Sequence, residues 1–317
     1  SYVWLKNNVV QPSQTAQSIA STDTLKGEQW TVQATPNDGI ADGAYGDASI
    51  TIQNTVPTVT GVSITPAFGS YNDITYTCSS TVTDPDETPT LSYQWTLNGA
   101  SIGGNTSTLD LNGTGAMPDD SLICSVTAVD SDGASDTESS GNILITNRFP
   151  VLSNLSIAPS STVTTSTSLT CSADVTDDDG EILVADYEWG VGSNTYSGAS
   201  LNLDPSMVSP GDSVTCTVSV ADGYGGSDSD SISVTVVNTD PVLSDVSITP
   251  DSAVTALSFL TCAYNGSDAD NDSLTPSYVW SNLSTGVNYS SITTTLQLSA
   301  SNTSPTDTVQ CSVIVDD

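Results

Sequence analysis

The sequence predicts an all-β chain, a tandem array of small antiparallel β-sandwich domains. Three observations predict it. A tryptophan-centred block recurs at a nearly constant period, six cysteines fall at regular places within that period, and the segments around them alternate apolar and polar residues. No window carries the 3.6-residue period of an amphipathic helix.

The block is an aromatic-x-Trp motif: SYVW (1–4), SYQW (92–95), DYEW (186–189) and SYVW (277–280). Its tryptophans, Trp4, Trp95, Trp189 and Trp280, stand 91, 94 and 91 residues apart. The other segments keep the same order around each block. A proline-containing linker comes first, at NTVP (54–57), NRFP (147–150) and NTDP (238–241). A segment with the first cysteine follows (ITYTCSS, SLTCSADV, FLTCAYNG), then an acidic loop: DPDE (84–87), DDDGE (177–181) and DADND (268–272). After the Trp segment comes one with the second cysteine: SLICSVTAV, SVTCTVSV and TVQCSVIV. In these last segments Leu122, Cys124, Val126 and Ala128 share one face, as do Val214, Cys216, Val218 and Val220. Serine and threonine fill the other face, which is the pattern of a half-buried antiparallel strand.

A cysteine, a tryptophan 17 or 18 residues on, and a second cysteine 27 to 31 residues later is the order of an immunoglobulin-like sandwich. The bridge crosses the sandwich between two facing strands and the indole packs on it. The expected bridges are Cys78–Cys124, Cys171–Cys216 and Cys262–Cys311. Each closes a loop for which chain entropy gives about 4 kcal/mol. The expected boundaries are 1–54, 55–147, 148–238 and 239–317, with the first and last repeats partial. In the first repeat Trp30, in KGEQWTVQA, is expected to take the second-cysteine position, so that an aromatic contact replaces the bridge.

The tandem blocks resemble the immunoglobulin-like and PKD-like repeats of very large bacterial extracellular surface proteins. The residues that carry this are the NTxP linkers, the TCSxxxxDxDG-type loops, the Y-x-W strand and KGEQWTVQATPNDG. The resemblance covers the whole chain. It implies an extracellular or cell-surface stalk, filament or adhesin shaft, or a spacer in a secreted enzyme.

Composition bounds the function. There are 37 acidic residues against three basic ones (Lys6, Lys26, Arg148), no histidine, and a net charge of −34. Such a chain repels nucleic acid and anionic membranes, and no apolar run is long enough to span a bilayer. Six regularly spaced cysteines with no C-x-x-C pair favour disulfides and an oxidising compartment. Without histidine and without a G-x-S-x-G elbow, catalysis is not expected. Carboxylate pairs repeated in every block suit a structural device better than an active site.

The acidic loops are the candidate chemistry. In this fold the loop before the Trp strand and the loop after the second-cysteine strand lie at the same end of a domain. They gather Asp84, Asp86, Asp130 and Asp132 in the second repeat, and Asp177, Asp179 and Asp222 in the third. In the fourth they gather Asp268, Asp270, Asp272 and Asp316, joined by Asp240 from the linker. Hard oxygen donors on flexible loops suit Ca²⁺, which takes six to eight oxygens. A solvated rim of turn aspartates is the competing account. The favoured expectation is a non-enzymatic shaft stiffened by calcium at its junctions, with the third-to-fourth junction the strongest site. Its partners are neighbouring repeats and copies of itself in a fibre. An adhesin contacting a protein or glycan, or a hydrolase spacer, is the alternative. Strands of about ten residues at roughly 3.3 Å rise give about 35–40 Å per domain, so an elongated array is expected.

Overall fold

A computed structural model describes residues 1–317. It forms two compact units, Ser1–Arg148 and Phe149–Asp317, each holding two of the sequence repeats. Apart from one 3-10 turn at Ser21–Asp23, every regular element is a strand and every strand pairing is antiparallel.

The second repeat shows the plan. Strands Thr58–Thr65, Thr75–Thr83 and Thr108–Asp110 form one sheet. Strands Thr90–Leu97, Ala100–Ile102, Ser121–Val129 and Ser135–Ser139, with the short Ile143–Leu144, form the facing one. The third repeat repeats this with Val151–Ala158, Ser168–Thr176 and Ser200–Asn202 facing Asn194–Ser197, Asp186–Val191, Ser213–Ala221 and Ser227–Thr235. In the fourth, Val242–Thr249, Phe259–Ser267 and Thr295–Gln297 face Val287–Asn288, Thr275–Asn282 and Val309–Asp316.

The three expected bridges are the three that form, with no free cysteine left. Each tryptophan lies directly across the ladder from the second cysteine: Trp95 opposite Cys124, Trp189 opposite Cys216 and Trp280 opposite Cys311. All three indoles are fully buried. All four repeat tryptophans bond their indole N–H to a main-chain carbonyl, of Ala16, Thr106, Gly198 and Thr293, at 2.9–3.0 Å. A large apolar ring is thereby buried without an orphaned donor. The alternation in the second-cysteine strand holds: Leu122, Cys124, Val126 and Ala128 are each 0% exposed.

The first repeat departs from expectation in register. Its strands Tyr2–Lys6, Val9–Val10, Gln29–Ala34 and Gly46–Thr51 form one sheet in which Trp4 lies opposite Val32 and Trp30 lies opposite Lys6. Val32 therefore takes the second-cysteine place, and Trp30 stands where Leu122 and Val214 stand in the next two repeats. The aromatic packing forms regardless. Positions two apart share a face, so Trp30 meets Trp4 edge-to-face at 6.4 Å between ring centroids.

Candidate metal centres at the repeat heads

The acidic loop opens the same way in each of three repeats. The first aspartate accepts the main-chain N–H two residues on through Oδ1, from Asp86 to Asp84, from Asp179 to Asp177 and from Asp270 to Asp268, at 2.7 Å each time. This local turn is what Asp does where the chain leaves a strand. It aims the other oxygen inward. Oδ2 of Asp84, Asp177 and Asp268 is buried and accepts no hydrogen bond, and so is Oε2 of Glu181.

The opposite wall comes from the end of the second-cysteine strand. Asp130, Asp222 and Asp317 each stand six residues past the second cysteine. In the second and third repeats a tight turn follows, with Gly133 (φ +86°) and Gly225 (φ +94°) in the left-handed conformation. Oδ1 of Asp130 accepts the N–H groups of Asp132 and Ala134, and Oδ1 of Asp222 those of Tyr224 and Gly226.

Three carboxylates meet at each head: Asp84, Glu87 and Asp130; Asp177, Glu181 and Asp222; and Asp268, Asp272 and Asp317. In each group one oxygen per residue lies within 4.8 Å of the others. Oxygens bound to one Ca²⁺ at 2.3–2.6 Å fall within about 5 Å of one another, so the spacing fits that ion.

The expected ligand set is thus divided. Asp84, Asp130, Asp177, Asp222, Asp268 and Asp272 are brought together; Asp86, Asp132, Asp179, Asp240, Asp270 and Asp316 stand outside the three groups. The second aspartate of the loop turns to the linker instead. Asp86 Oδ2 accepts the Thr55 N–H, and Asp270 Oδ2 that of Thr239, both at 2.6 Å. Asp270 also accepts the Thr165 hydroxyl at 2.6 Å and is only 6% exposed. Asp132 pairs with Lys26. Asp240 is exposed on the linker, and Asp316 is exposed because strand alternation turns it away from the face that Asp317 shares. Glu87, Glu181 and Asp317 complete the groups. Counting six residues from Cys311 finds Asp317 in the sequence alone, whereas Glu181 and Asp272 lie four residues past the first aspartate and Glu87 three.

Electrostatics differ between the heads. Glu87 is held below the usual carboxylate range, first by the Ser131 N–H, then by its hydroxyl and by Lys26. Asp130 is lowered by the Asn54 amide, against burial, with help from the Ala134 and Asp132 N–H groups. Glu181 goes the other way: burial raises it, and the nearby Asp177, Asp222 and Asp179 add to the rise. Burial pushes Asp270 up, but the Thr165 hydroxyl and the Thr239 N–H outweigh it and leave it lowered.

No family model matches the chain, and no curated protein does. Solved structures resemble it weakly. Domains A168–A170 of titin align at TM-score 0.33 and 15% identity, over 82% of this chain and 93% of that one. Sidekick-1 immunoglobulin domains 1–4 align at 0.29 and 11%, over 100% and 86%. A Ca²⁺-stabilized adhesin that helps an Antarctic bacterium reach out and bind ice aligns at 0.28 and 14%, over 99% and 88%. Likenesses this low carry no argument about function. Its own strand order, its bridges and the Trp–Cys register make the chain a tandem array of immunoglobulin-like domains.

Proposed function

We propose that this chain is a non-enzymatic extracellular shaft or filament segment whose repeat heads bind calcium and stiffen the junctions between repeats. One observation carries the calcium reading. The same aspartate oxygen, on Asp84, Asp177 and Asp268, is buried and without a hydrogen bond in three equivalent places, each time facing two further carboxylates. A buried carboxylate oxygen with no donor is costly, and a divalent cation supplies the missing partner for all three groups at once. Three disulfides support an oxidising, extracellular setting. The shaft reading rests on the tandem domains and on proline in each linker, at Pro57, Pro150 and Pro241, which limits flexing.

The test is a calorimetric titration of the full chain with calcium chloride after EDTA treatment, paired with small-angle scattering. Saturable binding is expected, together with a narrower distribution of molecular extension once calcium is bound. The variant carrying Asp84→Asn, Asp177→Asn and Asp268→Asn together is expected to lose the binding. Heat and scattering that the triple variant leaves unchanged would assign the heads to a solvated acidic rim.

A further inference from the structure

Among the three basic residues of the chain, Lys26 holds two repeats together. It belongs to the first repeat, just before Gln29–Ala34, and its ammonium reaches the head of the second. There it meets Asp132 Oδ2 at 2.7 Å, Glu87 Oε1 and Ser131 Oγ at 3.1 Å, and Asn54 Oδ1 at 3.3 Å. Glu87 is a member of the carboxylate group and Asn54 bonds to a second member, Asp130, at 2.7 Å. Lys26 therefore sits on the rim of this head as a fixed positive charge. It does not fill the space beside Asp84, whose inner oxygen stays without a partner.

The junction between the third and fourth repeats is built from the same neutral contacts. Asn238 donates to Asp317 at 2.9 Å as Asn54 does to Asp130, and the Thr239 N–H meets Asp270 as that of Thr55 meets Asp86. What differs is the cation. The ladder register aligns Val32 with Cys124 and Cys216, so the residue six before it, Lys26, corresponds to Pro118 and Pro210. At the third-to-fourth junction Pro210 takes the place of the lysine, and Asp268, Asp272 and Asp317 form no ion pair.

We propose that Lys26 is a built-in counter-ion, so that the first-to-second junction closes without metal while the third-to-fourth junction closes firmly only around a divalent cation. The metal half of this rests on the calcium reading above; the lysine half stands on the ion pairs alone. The two halves predict opposite responses from two equivalent amides, Thr55 and Thr239.

The experiment is hydrogen exchange at these two amides in the full chain, in EDTA and in excess calcium, for the natural sequence, Lys26→Met and Lys26→Arg. In the natural sequence Thr55 is expected to exchange at the same rate in both buffers. Thr239 is expected to slow about a hundredfold at a free calcium about a hundred times the dissociation constant. Lys26→Met should speed Thr55 in EDTA by roughly fivefold, the scale of a partly exposed ion pair. Calcium should then reverse the gain, and Lys26→Arg should behave as the natural chain. Unchanged exchange at Thr55 in Lys26→Met, or calcium slowing Thr55 in the natural chain as much as Thr239, overturns the role of Lys26. A Thr239 rate indifferent to calcium, with Thr55 still opened by Lys26→Met, overturns the calcium reading and leaves Lys26 as a metal-independent tether.

Discussion

Glu28 is 7% exposed in the first repeat, between the Lys6 ammonium and the Trp30 indole N–H, which it accepts at 2.9 Å. Lys6 first, then the Leu25 N–H and the indole, hold its carboxyl below the ordinary value of 4.5, against burial. A carboxyl depressed in the folded state stabilises above its unfolded pKa, and that contribution is lost as pH falls through the folded value. Melting of the first repeat should therefore be flat from neutrality down to about pH 5 and fall below pH 4. In Glu28→Gln it should start lower at neutral pH and lose most of the acid-dependent step. Parallel pH profiles for the two proteins would remove Glu28 from this role. Two neighbouring positions show how single residues can be misassigned from sequence. Trp30 reads as the substitute for the missing cysteine because it is the only large residue near the right count. Pairing opposite Trp4 gives that place to Val32. Asp316 and Asp317 are adjacent and chemically identical, and only the alternation of the strand says which faces the group.

Loops and linkers are where sequence said least. The D-x-D of each acidic loop reads as two equal ligands, yet one carboxylate faces the head and the other caps a linker amide. Which does which depends on backbone N–H directions that side-chain identity does not encode. The division has a measurable consequence. Asp270→Ala leaves the Thr239 N–H and the Thr165 hydroxyl without their acceptor, and is expected to cost about 1–3 kcal/mol whether calcium is present or not. Asp240→Ala, in the neighbouring linker, should change the melting temperature by no more than a typical surface substitution, about 0.5 kcal/mol in stability. Denaturant unfolding of both variants checks this, and equal effects would merge the two roles again. Arg148 is a further case. By sequence it is the cleavable residue of the NRFP linker. In the structure its guanidinium lies 4.7 Å from the centre of the Tyr71 ring and bonds to Asp73 and Asn72 at 3.1 and 3.0 Å. With Lys6 and Lys26 also held in ion pairs, trypsin should leave the native chain largely intact while cutting the reduced, unfolded chain at all three residues. A prompt single cut at Arg148 would show that the clamp opens readily.

Taken whole, the chain carries a net charge of −34 on 317 residues. Any salt therefore relieves self-repulsion, so a rise in melting temperature with calcium is not by itself evidence of sites. The discriminating comparison is calcium chloride against sodium chloride at matched ionic strength. Screening alone predicts equal shifts. Specific binding predicts a further rise that grows logarithmically with free calcium once the sites fill, and reaches about 2.7 kcal/mol at a hundred times the dissociation constant. Matched salts that give matched melting curves would dispose of the sites. The fold at this scale was legible because its determinants are covalent or periodic: cysteine order, tryptophan spacing and two-residue alternation survive without coordinates. Contacts between repeats were not legible, since nothing in the local sequence of Lys26 names its partners at Glu87 and Asp132, over 60 residues away. The way each head is assembled also bears on how such a gene can change length. Every carboxylate group is drawn from the loops of a single repeat, so an in-frame duplication of a repeat like the third carries its own group intact and needs nothing from the copy beside it. The lysine tether has no such freedom. It spans two repeats, so inserting a copy between the first and second would separate Lys26 from its acids unless the newcomer brought a Glu and an Asp to the same two places. Copy number can drift where repeats are held by an ion from solution and is fixed where they are held by each other.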